Sequence, residues 1–163
     1  MAESTPVPSG VVAEVVSSGS GGLVLSDSSV TPKWRVFGGY EQVRPGTSQD
    51  TSRGLVWSVS PGEWTVLGPR PEEGEVVDVT HVRAMFRLTG VDSARLISKL
   101  CALDLSPDMF PNGAAARTLL AGVATELVRQ DDKGVLSYLI LPSRSFGRYI
   151  HETILDAGQE FDI

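Results

Sequence analysis

Two histidines and one cysteine are the residues of this chain best suited to metal binding or nucleophilic chemistry. His151 is followed by a glutamate, but the second histidine of a zinc-binding His-Glu-x-x-His helix is missing. His81 lies in a different segment, so both imidazoles are predicted to be ordinary surface or capping side chains. Cys101 lies on an apolar helical stripe without a neighbour that clearly lowers its pKa, which favours a buried structural thiol over a nucleophile.

Pairs of neighbouring carboxylates are the next candidates, because they could hold a cation or act as acid and base. These pairs are Glu72-Glu73 and Asp131-Asp132. Both occur in stretches rich in Gly, Pro or Lys, where turns with solvated acids are expected and a raised pKa is not. The glycines 19, 21 and 22 are too close together for a dinucleotide-binding turn and predict a flexible hinge.

Arg144-Ser145-Phe146 is the motif that points most directly to recognition. An arginine beside the N-terminal amides of a helix could clamp a carboxylate of a ligand or of a partner protein. The favoured alternative is a surface arginine next to a Phe that anchors the helix. Three tryptophans could form an aromatic ligand platform, although core or interface packing is favoured: Trp34, Trp57 and Trp64.

Length and charge limit the class of protein. A chain of 163 residues and 17.4 kDa suits one domain with one core. The net charge of -6 argues against nucleic acid, which requires several Lys or Arg contacts to phosphates. Residues 1–10 lack the pattern of an export signal, and no run of 18 apolar residues occurs, so a cytoplasmic location is expected. A single cysteine permits no internal disulfide.

The first half of the chain predicts a flexible segment over residues 1–30, followed by one folded domain over residues 31–163. A short strand is predicted at 34–37 and a polar loop at 44–54. Alternating apolar residues predict strands at 55–60 and 64–67, joined by the type II turn Ser60-Pro61-Gly62-Glu63.

The second half predicts a strand at 81–89, after residues 76–79, and then a helix at 93–102 capped by Asp92. Prolines exclude a helix or central strand at 103–113, so a loop anchored by Leu105 and Phe110 is expected. Strands follow at 118–120, 123–129 and 135–141, the last two joined by a turn at Gly134. Ser143 is predicted to cap a final helix whose apolar stripe includes Phe146, Tyr149, Ile150 and Ile154.

This order of elements predicts a single α+β domain, in which two helices cover one face of a mainly antiparallel sheet. Both sides of the strand at 135–141 are apolar, and two helices cannot cover both. Either the hairpin that carries Trp57 and Trp64 covers the second face, or another protein chain does. The pattern leaves both alternatives open.

A series of short motifs between residues 63 and 163 resembles the gamma subunit of heterotetrameric sarcosine oxidases, a relative of the folate-binding domain of the glycine-cleavage T-protein. The resemblance covers about two thirds of the chain and depends on the order and spacing of the motifs. They are EWTVLGP at 63–69, DVT at 78–80, residues 83–90, CALDLSP at 101–107, FP at 110–111, TLLA at 118–121, RSF at 144–146, DA at 156–157 and EF at 160–161.

The resemblance implies a non-catalytic structural subunit of a flavoenzyme that oxidatively demethylates sarcosine or a related N-methyl amine, a step of sarcosine catabolism and one-carbon metabolism. It implies partners in the alpha, beta and delta subunits, chiefly alpha. It places FAD, FMN, NAD, tetrahydrofolate and zinc in those partners, and no catalytic, cofactor-binding or metal residue in this chain. The alternatives are a stand-alone folate-binding protein similar to the aminomethyltransferase, and an assembly adaptor for an unrelated oxidoreductase.

Overall fold

The protein is described by a computed structural model that covers residues 15–17, 22–161 and 163. In chain order the described elements are β1 Val15–Ser17, β2 Val24–Asp27, β3 Lys33–Phe37, β4 Thr47–Thr51, β5 Gly54–Ser60, β6 Glu63–Leu67, β7 Glu75–Asp78, β8 Phe86–Thr89, α1 Ser93–Ser98, β9 Ala115–Leu120, β10 Val123–Arg129, β11 Ser137–Pro142 and α2 Gly147–Gly158. Short 3-10 turns lie at Arg144–Phe146 and Gln159–Phe161.

The described strands form two antiparallel sheets. The large sheet has the order β1-β2-β8-β11-β10-β9, and the small sheet has the order β4-β5-β6-β3-β7. With the two helices they make one α+β domain, which confirms the predicted fold class. The second sheet was not predicted. It includes β3 and β4, which come from the segment expected to be a short strand and a polar loop.

Turn chemistry in the sequence correctly located two hairpins. Ser60 pairs with Glu63 at the end of β5 and β6, and Gly62 has the positive φ of 75° that the predicted turn requires. Between β10 and β11, Lys133 and Gly134 have φ angles of 50° and 82°. Two consecutive residues with positive φ match the right-handed twist of the flanking strands.

The helices cover one face of the large sheet, as predicted. Leu96 and Ile97 of α1 and Ile150 and Ile154 of α2 are fully buried there. They pack against the sheet residues that face them, which are Leu25, Phe86, Leu88, Leu127, Tyr138 and Ile140. The loop at 103–113 closes this core with its buried Leu105 and Phe110, which confirms the prediction for that loop.

The helix ends differ from prediction. The α1 helix ends at Ser98, short of the predicted 102, and Asp92 makes no capping hydrogen bond. Its Oδ1 atom instead accepts a hydrogen bond of 2.8 Å from Arg95 Nη1. Ser143 makes no capping bond either, since a 3-10 turn separates it from α2. In both cases another local contact replaces the expected cap.

The small sheet covers the second face of the large sheet. Its residues Leu55, Trp57 and Leu67 form a buried cluster with residues of the large sheet, which are Met85, Ala115, Val128, Leu139 and Leu141. Of the two predicted alternatives, the chain's own hairpin is therefore the one observed. The outer face of the small sheet forms a third cluster, in which Trp64 packs beneath Val43 of the loop after β3.

The predictions for the flexible first segment and for the strand at 81–89 need correction. Val24–Asp27, expected to be flexible, is a strand that pairs with β8, because Leu23 and Leu25 fill the core beneath the helices. The remaining part of that predicted segment, residues 1–14 and 18–21 with two of the hinge glycines, lies outside the described residues. The strand predicted at 81–89 begins only at Phe86, and before it Arg83 forms a single bridge with Ser143.

Candidate interface site

A buried carboxylate lies between the two sheets. Glu126 belongs to β10, and its side chain is 1% exposed on the face that the small sheet covers. Its neighbours along the strand, Thr125 and Leu127, face the helices, because successive side chains of a strand point to opposite sides. An ionised group at such a position must be paired and hydrogen-bonded to be tolerated.

Three arginines and one tryptophan donate hydrogen bonds to the carboxylate of Glu126. Its Oε1 atom accepts hydrogen bonds from Arg35 Nη2 at 2.9 Å, Arg83 Nη2 at 3.3 Å and Arg117 Nη2 at 3.4 Å. Its Oε2 atom accepts a 2.8 Å bond from Trp57 Nε1. These donors come from β3, from the segment before β8, from β9 and from β5, so the site exists only when both sheets are assembled.

A second carboxylate joins the same group of charges. Glu63 at the start of β6 pairs with Arg35, and its Oε1 atom lies 3.7 Å from Arg117 Nη2. We call Arg35, Glu63, Arg83, Arg117 and Glu126 the Glu126 cluster. It contains three guanidinium groups and two carboxylates, which leaves one unit of positive charge.

The electrostatics of the cluster keep Glu126 ionised. Burial by itself raises the pKa of Glu126, but Arg35, the Trp57 indole and Arg83 together outweigh burial and hold that pKa below its usual value. Burial also lowers the pKa of Arg83, and Glu126 opposes that change. An arginine stays protonated at neutral pH in either case.

The Glu126 cluster opens to solvent at one side. Arg35 is nearly buried and Arg83 is partly buried, whereas the Arg117 side chain is 49% exposed. Exposed apolar side chains lie on both sides of it: Leu119 on β9 is 61% exposed, and Phe37 and Val77 on the small sheet are 43% and 44% exposed. We call Phe37, Val77, Arg117 and Leu119 the Arg117 surface.

Lys33 is a second buried charge. Its Nζ atom donates hydrogen bonds of 2.8 Å to the carbonyl oxygens of Ser29 and Thr31. Burial, assisted by the nearby positive charge of Arg144, lowers the pKa of Lys33 to about 8, while Asp27 and Asp78 oppose the change. Two carbonyl acceptors satisfy an ammonium group without supplying an opposite charge.

The histidines and the cysteine lie apart in the structure. His81 is exposed, as predicted. His151 is buried against the ring of Phe86, with ring centroids 5.7 Å apart, so the prediction of a surface or capping role is wrong for this residue. The reason is its position on α2 next to Ile150, which turns it towards the core. Cys101 is half-buried, and burial raises the pKa of its thiol, which disfavours the reactive thiolate.

The two carboxylate pairs have different surroundings. Glu72 is exposed and forms a 3.1 Å ion pair with Arg53, in line with the expectation of solvated acids. Asp131 is mostly buried and binds Arg129 through two hydrogen bonds of 3.0 Å, so the expectation is wrong for this residue. Arg129 also donates to the Phe110 carbonyl oxygen at 2.9 Å, which ties the loop at 103–113 to β10.

The RSF motif does not anchor the last helix through its Phe. Phe146 is 47% exposed and Tyr149 is also exposed, whereas the helix is held by Ile150 and Ile154. The backbone amide of Arg144 donates to the Val82 carbonyl oxygen at 2.9 Å, which ties the start of the turn to the segment before β8. The predicted stripe therefore begins one turn later than the sequence pattern indicated.

The tryptophans serve packing and hydrogen bonding, as favoured from the sequence. Trp57 and Trp64 are buried, and Trp34 is half-buried. Their indole nitrogens donate at 2.8 Å to three separate acceptors, which are Glu126 Oε2 for Trp57, the Val43 carbonyl for Trp64 and the Gly68 carbonyl for Trp34. They do not form a shared aromatic platform.

The described residues also form two surface grooves that could hold a small ligand. One, of about 350 Å³, lies between Tyr40, Arg53 and Glu72, and the other, of about 420 Å³, lies beside α1 between Arg95 and Leu103. Within residues 15–17, 22–161 and 163, no group of three or more His, Cys, Asp or Glu side chains could hold a metal ion. The helices of that part of the chain are too short or too polar to cross a membrane.

The sequence did not identify the Glu126 cluster or Lys33. One signal was present: Glu126 occupies an inward position of a strand whose neighbours are otherwise apolar, which is unusual for an unpaired acid. Its partners are 9 to 91 residues away in sequence, so no local motif links them.

The two-sheet α+β fold is similar to that of a chain in a solved structure. A chain of the heterotetrameric sarcosine oxidase from Corynebacterium sp. U-96, solved in complex with pyrrole 2-carboxylate, matches with a TM-score of 0.73 over 86% of both chains. The sequence identity in that match is 22%, so the likeness establishes the fold. No protein-family model matches the chain.

Curated relatives confirm the resemblance found in the motifs. Sarcosine oxidase subunit gamma of Corynebacterium sp. strain U-96 is 34% identical over 95 residues, which are 58% of this chain and 44% of that protein. The same subunit is 33% identical over 95 residues in Corynebacterium sp. strain P-1 and 30% identical over 90 residues in Arthrobacter sp.. The matched region thus spans less than half the length of these relatives.

Proposed function

We propose that this chain is a non-catalytic structural subunit of a heterotetrameric sarcosine oxidase-like flavoenzyme complex, which oxidatively demethylates sarcosine or a related N-methyl amine. The observation that carries the proposal is the 34% identity to a sarcosine oxidase subunit gamma over 95 residues. The shared fold, with a TM-score of 0.73 over 86% of both chains, supports it.

The use of charged groups in the described residues supports a structural role. Glu126 accepts bonds from three arginines and a tryptophan, and Asp131 is held by Arg129. Lys33 donates to two backbone carbonyls. Glu126 joins segments that are distant in sequence, whereas the contacts of Asp131 and Lys33 fix the local backbone around them.

In this proposal the catalytic chemistry belongs to the partner subunits, alpha, beta and delta. Those subunits bind the FAD, FMN, NAD, tetrahydrofolate and zinc of the complex, which acts in the cytoplasm. The present chain contributes a surface, chiefly to the alpha subunit. The apolar face of β11 is occupied by the chain's own small sheet, so the contact with a partner uses a different surface.

Affinity purification of the full chain from its native source tests the proposal. We expect three further polypeptides to co-elute in a yellow complex that oxidises sarcosine or a related N-methyl amine. A chain that elutes alone, without flavin, contradicts the proposal.

Calorimetric titration of the purified chain with tetrahydrofolate tests the alternative of a stand-alone folate-binding protein. We expect no binding heat, because folate belongs to a partner subunit in the proposed complex. Tight binding of tetrahydrofolate by the isolated chain would favour the alternative.

A further inference from the structure

We propose that the Arg117 surface is the site at which this chain docks onto its partner subunit, and that the partner inserts a carboxylate side chain flanked by apolar residues. The inference rests on the proposed function, since it specifies where and by what chemistry the complex is held together.

The first argument is the unbalanced charge of the Glu126 cluster. Glu126 and Glu63 neutralise two of the three guanidinium groups. Arg35 and Arg83 lie closest to the buried carboxylate, which leaves Arg117 as the outermost and weakest partner. One further carboxylate on this side would balance the cluster.

The second argument is the free hydrogen-bonding capacity of Arg117. Its contacts within the described part of the chain are made by Nη2 alone, at 3.4 Å to Glu126 and 3.7 Å to Glu63. Among those residues, Nε and Nη1 have no acceptor. A guanidinium group has five N–H donors in a planar fork that matches a carboxylate, so Arg117 can bind one through this unused side.

The third argument is the apolar rim. Leu119 lies two residues after Arg117 on the same face of β9. On the small sheet, Arg35 pairs directly with Val77, and Phe37 lies two residues further along the same face of β3. Leu119, Phe37 and Val77 are all more than 40% exposed, so apolar side chains border the charge from both sheets. Exposed apolar side chains around an arginine are typical of protein interfaces.

The strand positions allow a partner to approach. The strand β9 is the last strand of the large sheet, and β7 is the last strand of the small sheet. Gly46 and Thr47 contact the start of β9 at Ala114 and Ala115, whereas Arg117 and Leu119 lie further along that edge. The Glu126 cluster has a net charge of only +1, and the whole chain has a net charge of -6, so a polyanionic partner is disfavoured. A protein segment with one Asp or Glu between apolar residues fits both the charge and the rim.

The test uses two variants of the full chain, Arg117→Glu and Leu119→Asp, each co-purified with the other subunits of its complex from the same source. We expect each variant to bind the partner subunits at least about tenfold more weakly than the wild type, because each places a negative charge where the partner carboxylate binds. Matched controls are Arg148→Glu on the exposed side of α2 and Met109→Asp in the exposed loop. These controls should bind like the wild type.

Hydrogen exchange on the wild-type complex gives a second measurement that does not depend on a variant's folding. We expect slower exchange on assembly at residues 35–37 and 117–119, with unchanged exchange in α2. The docking site is wrong if the wild type assembles without protection of these residues, or if both variants bind the partner subunits as tightly as the wild type does. Either result leaves the proposed function standing. A wild type that fails to assemble overturns both. Self-association of the isolated chain that Leu119→Asp abolishes would assign the surface to a second copy instead.

Discussion

The Trp57 indole nitrogen lies 2.8 Å from Glu126 Oε2, and this hydrogen bond joins the small sheet to the large one. Trp57 is completely buried, and Glu126 is the acid around which three arginines gather. The packing of the two sheets therefore depends on this bond to the Glu126 carboxylate, because a buried oxygen without a donor would destabilise the fold.

Trp57→Phe is expected to lower the free energy of unfolding by about 1 to 3 kcal/mol, because it removes the donor to a buried, ionised oxygen. Trp34→Phe is the matched control, since the Trp34 indole donates to a neutral backbone carbonyl and is only half-buried. Urea unfolding followed by circular dichroism measures both. Equal losses of unfolding free energy in the two variants would show that the hydrogen bond to Glu126 stabilises the fold no more than the bond to a neutral carbonyl does.

Glu126→Gln is expected to destabilise the chain by roughly 3 kcal/mol at pH 7, because it leaves the arginines without their buried partner. The pKa of Glu126 is lowered in the folded state, so its stabilisation is present above the ordinary value of 4.5 and is lost as pH falls through the folded-state pKa. The gap between wild type and variant should therefore narrow below pH 4.5.

Glu63→Gln provides the comparison for Glu126, because Glu63 pairs with two of the same arginines but is partly exposed. Its loss should cost about 1 kcal/mol or less. The measurement is the free energy of unfolding of both variants from pH 3 to pH 7. Equal losses of stability in Glu63→Gln and Glu126→Gln would contradict the prediction.

Lys33→Met is expected to change how stability depends on alkaline pH. The folded-state pKa of Lys33 is about 8, against 10.5 for an ordinary lysine, so between these values the unfolded chain holds a proton that the folded chain has released. Wild-type stability should consequently rise relative to the variant by about 1 to 3 kcal/mol between pH 8 and pH 10. Lys133→Met, which removes an exposed lysine in a turn, is the matched control. Parallel curves for wild type and Lys33→Met would refute the prediction.

Gly54→Ala should cost several kcal/mol, roughly 3 or more, because φ is 126° and an added Cβ would overlap the Leu67 carbonyl oxygen. Gly62→Ala is the control: φ is 75°, and an added Cβ would meet no described atom within 4 Å. Its cost should be about 1 kcal/mol, the strain of the left-handed conformation alone. Thermal unfolding of both variants would refute the steric explanation if their losses matched.

Leu139→Ala and Leu119→Ala separate the internal apolar surface from the proposed external one. Leu139 is buried between the sheets, so its truncation should cost about 2 to 5 kcal/mol. Leu119 is 61% exposed, so the same change should alter stability by less than about 0.5 kcal/mol. A large loss of stability in the isolated Leu119→Ala chain would argue against a free surface at this position.

Local patterns predicted the parts of the fold that depend on near neighbours. Pro61-Gly62 specified one hairpin turn, and Gly134 specified another, because few residues accept a positive φ. The prolines of the loop at 103–113 excluded regular structure there. The strand Val24–Asp27 was missed because it follows the Gly/Ser-rich residues 17–22, and because its pairing partner β8 lies about sixty residues later in the chain.

The sequence by itself determined the class of fold, the covered helix face, and the fact that β11 is apolar on both sides, since periodicity and turn chemistry are local. The motif series also determined the resemblance to sarcosine oxidase gamma subunits. Only the tertiary structure decided that the chain covers its own second face, and that Arg35, Arg83 and Arg117 meet at Glu126. Such a meeting depends on how two sheets pack, and the residues that take part are too far apart in the chain for spacing to reveal it.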